Sequence, residues 1–136
     1  MLEKMMKNVA PGFLFRINEP FGEEVVDFTN QQRNDLVRII KQADESKILI
    51  THSMSGDRAF DNDDIVESVL FLGKLLLKDK TIVITKTITA EYKDSPQNLG
   101  LSLGTLSKNK EGTFLVFNKE SVSWLKVEAR ENVKIS

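Results

Sequence analysis

The chain has 136 residues and a net charge of −1, and 40% of its residues are hydrophobic. A chain of this length can bury a sizeable core without disulfides, so we expect a single domain over residues 1–136. Basic and acidic residues are nearly balanced in both halves of the chain, which argues against a nucleic-acid-binding surface. Because cysteine is absent, disulfides, thiolate nucleophiles and cysteine-ligated metals are excluded.

The N-terminal segment, residues 1–12, has neither the apolar core nor the small-residue cleavage site of a secretory signal. We expect it to form either one helical turn or a flexible end. The longest apolar runs in the chain are far shorter than the roughly 18–20 residues of a membrane-spanning helix. The sequence therefore predicts a soluble, cytoplasmic protein that does not insert into a membrane.

The first third of the chain predicts strands, a helix and a further strand. Residues 13–17 alternate in polarity and residues 24–28 follow a turn, so both segments are predicted strands. Thr29 then begins a helix, because Gln32 follows it at the spacing of a capping box. The continuous apolar run Ile48, Leu49 and Ile50 predicts a strand that is covered on both faces and is therefore central in a sheet.

Residues 61–80 predict the helix around which the domain is built. Apolar residues recur in this segment at the helical period, and the polar side is only a thin stripe formed by Glu67, Lys74 and Lys78. Such a helix must be covered on more than one side. We expect a sheet to cover one side and a second subunit to cover another.

Two further strands are predicted after the core helix. Residues 81–92 alternate in polarity, with Ile82 and Ile84 on the apolar face. In residues 99–106, leucines alternate with small residues, which also indicates a strand.

The C-terminal part of the chain predicts a hairpin. Residues 113–117 and 122–127 are strand-like and flank a turn at residues 118–120. With the preceding strands, the hairpin would form an antiparallel meander. The predicted fold class is α+β, a single domain with a mixed sheet, two helices packed on it and a C-terminal antiparallel meander.

The loop that follows the predicted central strand is the main candidate for a ligand site. Ligands lie outside the carboxyl ends of strands in sheets with parallel crossovers, and helix N-termini favour anions. The loop offers two hydroxyls, a glycine for close backbone approach, a guanidinium and a proton carrier, which suit a phosphate or a carboxylate. The predicted residues are His52, Ser53, Ser55, Gly56 and Arg58. The alternative is a polar connection without a ligand, since no P-loop or dinucleotide fingerprint is present.

Acidic residues crowd the start of the core helix, at Asp57, Asp61, Asp63 and Asp64. Clustered carboxylates are suitable ligands for a hard cation, but carboxylates are also favoured at any helix N-terminus. Asp64 also precedes Glu67 at the spacing of a capping box. The sequence favours capping, and it predicts no metal and no cofactor.

Residues 100–104 match G-x-S-x-G, the pattern of a nucleophile elbow, with Ser102 at its centre. An elbow requires a strand before the serine, a helix after it, and an acid and a histidine later in the chain. The only histidine, His52, precedes Ser102. We therefore expect a strand with a small-residue face.

Lys86 and three aromatic residues each have a functional and a structural interpretation. Lys86, on an apolar strand face, is either a buried functional lysine or one that reaches the rim of the sheet. Phe114, Phe117 and Trp124 are expected in the core, because too few basic residues lie among them for a platform that stacks single-stranded nucleic acid.

No set of nucleophile, base and acid can be assembled from this sequence, which favours a protein that is not an enzyme. The excess of apolar surface on the core helix and the strands predicts a small binding or regulatory protein that acts through protein–protein contacts as a homodimer. The alternative is a protein or enzyme that uses loop 52–58 to bind a small anionic ligand. Nucleic acid is not an expected partner.

Overall fold

The computed structural model of the chain describes residues 6–8, 12, 29–52, 61–86, 95–117 and 119–133. The helices are α1 (Asn30–Gln42), α2 (Asp61–Lys74), α3 (Ser95–Lys108) and α4 (Trp124–Val133). The strands are β1 (Lys47–His52), β2 (Thr81–Lys86), β3 (Gly112–Phe117) and β4 (Glu120–Ser123). Residues 6–8 are also helical. The predicted strands at residues 13–17 and 24–28 lie outside the described residues.

The four strands form one mixed sheet in the order β1-β2-β3-β4. β1, β2 and β3 are parallel, and β4 pairs antiparallel to β3. This sheet with helices packed around it confirms the predicted α+β fold with a mixed sheet. Within the described sheet, β1 is an edge strand. The central position predicted for β1 is instead taken by β2, whose residues 81–85 are all buried.

The alternation of side chains along β2 divides the core into two clusters. Ile82 and Ile84 lie in a cluster with buried residues of α1, α2 and α4: Leu36, Ile40, Ile65, Val69, Leu72 and Val127. Val83 lies in the other cluster, which contains Met6 and the buried leucines of α3: Leu99, Leu103 and Leu106. Because neighbouring residues of a strand point to opposite faces, the sheet is covered by helices on both faces. The covering of α2 on more than one side is confirmed, since α2 contacts β2, β3, α1 and α4.

The two crossover helices lie on opposite faces of the sheet, α2 between β1 and β2, and α3 between β2 and β3. Both crossovers step in the same direction across the sheet, from β1 to β2 to β3. The handedness of a crossover is set by the direction in which it moves across the sheet and by the face on which its helix lies. Two crossovers that move in the same direction but lie on opposite faces therefore have opposite handedness. One of them is therefore left-handed, a connection that is rare because strand twist favours the right-handed form.

The predicted start of α1 is confirmed in detail. The Thr29 side chain accepts a hydrogen bond from the backbone N–H of Gln32, and the Gln32 side chain accepts one from the backbone N–H of Thr29. This capping box satisfies two of the four N–H groups that a helix start leaves without partners. The helix then buries Leu36 and Ile40, and it ends before Ala43.

Arg33 connects α1 to α2 inside the core and is 3% exposed. Its Nε–H donates to the hydroxyl of Ser68 at 3.0 Å, and its Nη1 donates to the Asn30 side chain at 3.1 Å. Its Nη2 lies 3.6 Å from a carboxylate oxygen of Glu67, whose side chain is mostly exposed. These contacts fix the position of α1 along α2.

The strand predicted at residues 99–106 is wrong, because this segment belongs to helix α3. Leu99, Leu103 and Leu106 are buried together on one side of the helix, and their spacing is the helical period. Since β2 and β3 are parallel, the chain between them must cross over the sheet, which a hairpin connection cannot do. The predicted meander is therefore reduced to the β3–β4 hairpin.

The hairpin at residues 118–120 is confirmed by the antiparallel pairing of Phe117 with Glu120. The second strand is shorter than predicted, because it ends at Ser123 and α4 begins at Trp124. The Ser123 hydroxyl accepts a hydrogen bond from the backbone N–H of Leu125 at 3.4 Å. A serine that accepts from the second residue of a helix is a typical N-cap, which explains the switch from strand to helix.

Candidate functional site

The carboxyl ends of the parallel strands bring His52 next to Lys86. These are the last residues of β1 and β2, and the strand register pairs their Cα positions. The N-termini of α2 and α3 belong to the same edge of the sheet, since each helix follows one of these strands. The arrangement combines two basic residue types with two helix N-termini, a chemistry that suits an anion.

The β3–β4 turn is fixed at this same edge by a buried residue of α3. Asn98 is 5% exposed, and its side-chain oxygen accepts a hydrogen bond from the backbone N–H of Lys119 at 2.9 Å. Lys119 has a φ of 63°, in the left-handed region that a tight turn often requires. The hairpin turn and the start of α3 are therefore held together beside the ends of the parallel strands.

The structure places the backbone of one predicted ligand-binding residue, His52, at the end of β1. The other four, Ser53, Ser55, Gly56 and Arg58, lie outside the described residues. The predicted ligand role of these five residues stays a prediction. The proximity of Lys86 to His52 could not be derived from the sequence, because it depends on which strands are neighbours.

The acidic residues Asp61, Asp63 and Asp64 lie in the first turn of α2. The capping-box role of Asp64 is wrong, because the helix already begins at Asp61 and Glu67 instead contacts Arg33. Among the described residues, no group of three or more aspartate, glutamate or histidine side chains is placed to hold a metal ion.

Ser102 lies in the middle of α3 and is fully buried. Its hydroxyl donates a hydrogen bond to the backbone carbonyl of Asn98 at 2.7 Å, one turn earlier in the same helix. The strand–serine–helix turn of a nucleophile elbow is absent at this position. Ser102 therefore has a packing role, but the expected strand with a small-residue face is a helix.

A groove lies at the opposite edge of the sheet, where the parallel strands begin. It has a volume of about 370 Å³, and we call it the amino-edge groove; its lining residues are Gly73, Leu76, Leu77, Glu111, Gly112, Thr113 and Trp124. Trp124 is half-buried and packs on Gly73, where an added Cβ would lie 2.3 Å from the indole Cγ. The core position predicted for Trp124 is thus only partly correct, because its side chain also lines the groove. Phe114 is half-buried against the α3 side of the core, and the Phe117 side chain lies outside the described part of the chain.

The groove is bordered by the C-terminal end of α2, which comes earlier than the sequence pattern predicts. The pattern predicts a helix that continues to residue 80, but α2 ends at Lys74. Leu75 and Leu76 therefore leave the apolar face of the helix and are 42% and 73% exposed. Leu125, next to Trp124 in the chain, is 60% exposed. Leu75, Leu76 and Leu77 are consecutive, and three consecutive residues cannot all face the same side of a helix. This run is the one sequence feature that could have indicated an exposed apolar surface here.

Leu76 has an unusual backbone conformation for its residue type. Its φ is 49°, and its N–H donates to the carbonyl of Gly73 at 3.1 Å. This is the left-handed C-terminal cap of a helix, a position that glycine or asparagine normally occupies. A side chain with a Cβ costs about 1–2 kcal/mol in this conformation. The chain thus places a large apolar side chain in solvent at a position where it also strains the backbone.

No helix in the described part of the chain combines the length and the apolar character needed to cross a membrane. The sequence matches no protein-family model, and no curated protein sequence is significantly similar to it.

Proposed function

We propose that this protein is a small non-enzymatic binding or regulatory protein that acts through protein contacts at the amino-edge groove. The observation that carries this proposal is the exposure of Leu76, which lines the groove together with Leu77 and Trp124. Leu75 and Leu125, which neighbour lining residues in the chain, are exposed as well. Large apolar side chains exposed beside a groove are typical of association sites when they form a continuous patch. Tryptophan and leucine side chains beside an open groove also provide the apolar centre that most protein interfaces have.

The free energy of burying a leucine favours a role for Leu76 in binding a partner over a role in stabilising the isolated chain. An exposed leucine contributes little to folding, whereas burying one is worth about 1.5–3 kcal/mol. Leu76 is mostly exposed and strained, so it gains this stabilisation only when another surface covers it. The expected cytoplasmic location stays a prediction.

The proposal is tested by placing a photo-cross-linking amino acid at Leu76 and, separately, at Leu125, in cells that naturally contain the protein. We expect protein adducts at both positions. Asn34, on the exposed face of α1, is the matched control and should give only background. If Leu76 and Leu125 yield no more protein adduct than Asn34, the proposal is wrong.

A second candidate function is the binding of a small ligand with a phosphate or carboxylate group at the carboxyl edge. The register that pairs His52 with Lys86 favours it, because two neighbouring strand ends then present basic residue types beside two helix starts. Native mass spectrometry of gently purified protein would detect a retained ligand as added mass.

The ligand proposal also predicts the effect of substitutions. Replacing His52→Ala together with Arg58→Ala should abolish stabilisation of the protein by added inorganic phosphate. Lys110 is an exposed lysine at the opposite edge of the sheet. The variant Lys110→Ala should leave the stabilisation by phosphate unchanged. If phosphate stabilises the parent and the double variant equally, the site does not include these residues.

A further inference from the structure

We infer that the partner bound at the amino-edge groove is a second copy of this chain, related by a two-fold axis, with Leu76 of each copy inserted into the groove of the other. This inference rests on the proposed function, because it names the partner of the same surface. In a two-fold interface the same patch occurs on both sides, so the patch must contain both the inserted group and the surface that receives it. The amino-edge groove meets this requirement.

Leu76 is both exposed and part of the groove lining. It is the most exposed of the three large exposed hydrophobic residues in the described part of the chain, at 73%, and it is also part of the groove lining. Leu76 lies beside the groove of its own copy. If a two-fold axis passes close to the groove, the same side chain also lies beside the groove of the partner. The two Leu76 side chains would then be buried by one association event.

The exposed charges near the groove have both signs. Lys74 and Lys78 directly follow the lining residues Gly73 and Leu77 in the chain, and both lysines are exposed, as are Asp79 and the lining residue Glu111. Asp79 and Glu111 are adjacent, since the Asp79 N–H donates to a Glu111 carboxylate oxygen at 3.1 Å. A strongly basic or strongly acidic partner would meet like charges at some of these residues. A second copy brings equal numbers of both signs, so the lysines of one copy can lie opposite the carboxylates of the other.

Leu76 also has a left-handed backbone conformation, with a φ of 49°. Glycine or asparagine would suit its left-handed conformation better, and a polar residue would suit its exposure better. Strained residues of this kind are found where a contact needs them. The apolar side chain of Leu76 is explained if it is buried in the assembled protein.

The test is sedimentation velocity on the full chain over a concentration series up to several hundred micromolar. We expect the parent to form dimers. Leu76→Gly should weaken the dimer by roughly tenfold or more, since each copy loses one buried leucine. At concentrations too low for the parent to dimerise, the thermal midpoint of the variant should not be lower than that of the parent, because glycine relieves the backbone strain. Leu76→Asn, which also tolerates this conformation, should weaken the dimer in the same way.

Lys119→Gly is the matched control. Lys119 has nearly the same backbone conformation, with a φ of 63°, but it lies in the hairpin turn at the opposite edge of the sheet. This variant should leave the dimer affinity unchanged. A parent that stays monomeric throughout the series, or Leu76 variants that dimerise as well as the parent, would overturn the homodimer inference.

The cross-linking experiment separates this inference from the proposed function. Adducts of the chain with itself at Leu76 support both. Adducts with a different protein alone support the proposed function and overturn the homodimer. The absence of any protein adduct overturns both.

Discussion

Gly73 is a position at which a single added methyl group should strongly lower stability. A Cβ built at this position would lie 2.3 Å from Cγ, 2.5 Å from Cδ2 and 2.7 Å from Cβ of Trp124. Favourable carbon contacts occur at about 3.5–4.0 Å, so Trp124 would have to move by more than about 1 Å. Rotation of the indole cannot relieve the contact with the Trp124 Cβ, because that atom is attached directly to the backbone. The start of α4 must therefore shift as well.

The magnitude follows from two opposing effects. Overpacking of this kind costs about 1–3 kcal/mol, and we expect the upper part of that range because backbone must move. Replacing a helical glycine with alanine returns up to about 1 kcal/mol of helix propensity. Gly73→Ala should therefore lower the free energy of unfolding by about 2 kcal/mol. For a chain of this size, that loss corresponds to a fall of about 6–10 °C in the thermal midpoint.

Gly104→Ala is the matched control, because Gly104 is also a helical glycine but a Cβ added to it would meet no atom within 4 Å. This variant should be more stable than the parent by about 0.5–1 kcal/mol. Urea denaturation and thermal melting of both variants measure the difference. If Gly73→Ala is as stable as the parent, the close packing of Trp124 on Gly73 is wrong.

A double-variant cycle identifies the responsible contact. Trp124→Ala removes the ring atoms that meet the new Cβ and keeps the Trp124 Cβ. Gly73→Ala should therefore cost about 1 kcal/mol less in the Trp124→Ala background than in the parent. Equal costs in both backgrounds would show that the indole is not the obstacle.

Three further predictions concern stability, each measured by urea denaturation. Arg33→Ala should cost about 1–3 kcal/mol, because a buried hydrogen bond to Ser68 and a partly buried one to Asn30 are lost. Arg38→Ala, which breaks an exposed ion pair with Asp35, should cost less than about 0.5 kcal/mol. Equal losses in the two variants would contradict the role of Arg33. Thr29→Ala should cost about 0.5–2 kcal/mol through loss of the capping box, and an unchanged stability would show that the cap is not formed. Ser102→Ala should change stability by less than about 1 kcal/mol, since the hydroxyl donates its hydrogen bond within its own helix. If this variant loses a measurable activity, Ser102 is again a candidate nucleophile.

Elements with a strong local pattern could be predicted from the sequence. The start of α1 follows from the capping box of Thr29 and Gln32, and β1 follows from the apolar run at residues 48–50. The β3–β4 hairpin follows from the turn between two strand-like segments. These predictions succeed because capping bonds, side-chain period and turn chemistry act over a few residues and do not depend on the rest of the fold.

The identity of α3 was decided by the tertiary structure. Leu99, Leu101 and Leu103 fit the period of a strand, whereas Leu99, Leu103 and Leu106 fit that of a helix. The glycines at positions 100 and 104 lower the helix propensity of the segment. Only the parallel pairing of β2 with β3, which requires a crossover, selects the helix.

For the candidate sites, too, some features follow from local sequence patterns and others only from the tertiary structure. The sequence by itself determined that His52 ends a strand and that residues 61–80 contain an apolar helix. Only strand pairing placed Lys86 beside His52. Only the end of α2 at Lys74 exposed Leu76 in the groove that Trp124 also lines. Both outcomes depend on contacts between residues that are distant in the chain. A local pattern sets the period of an element, whereas tertiary packing decides where that element ends and which element becomes its neighbour.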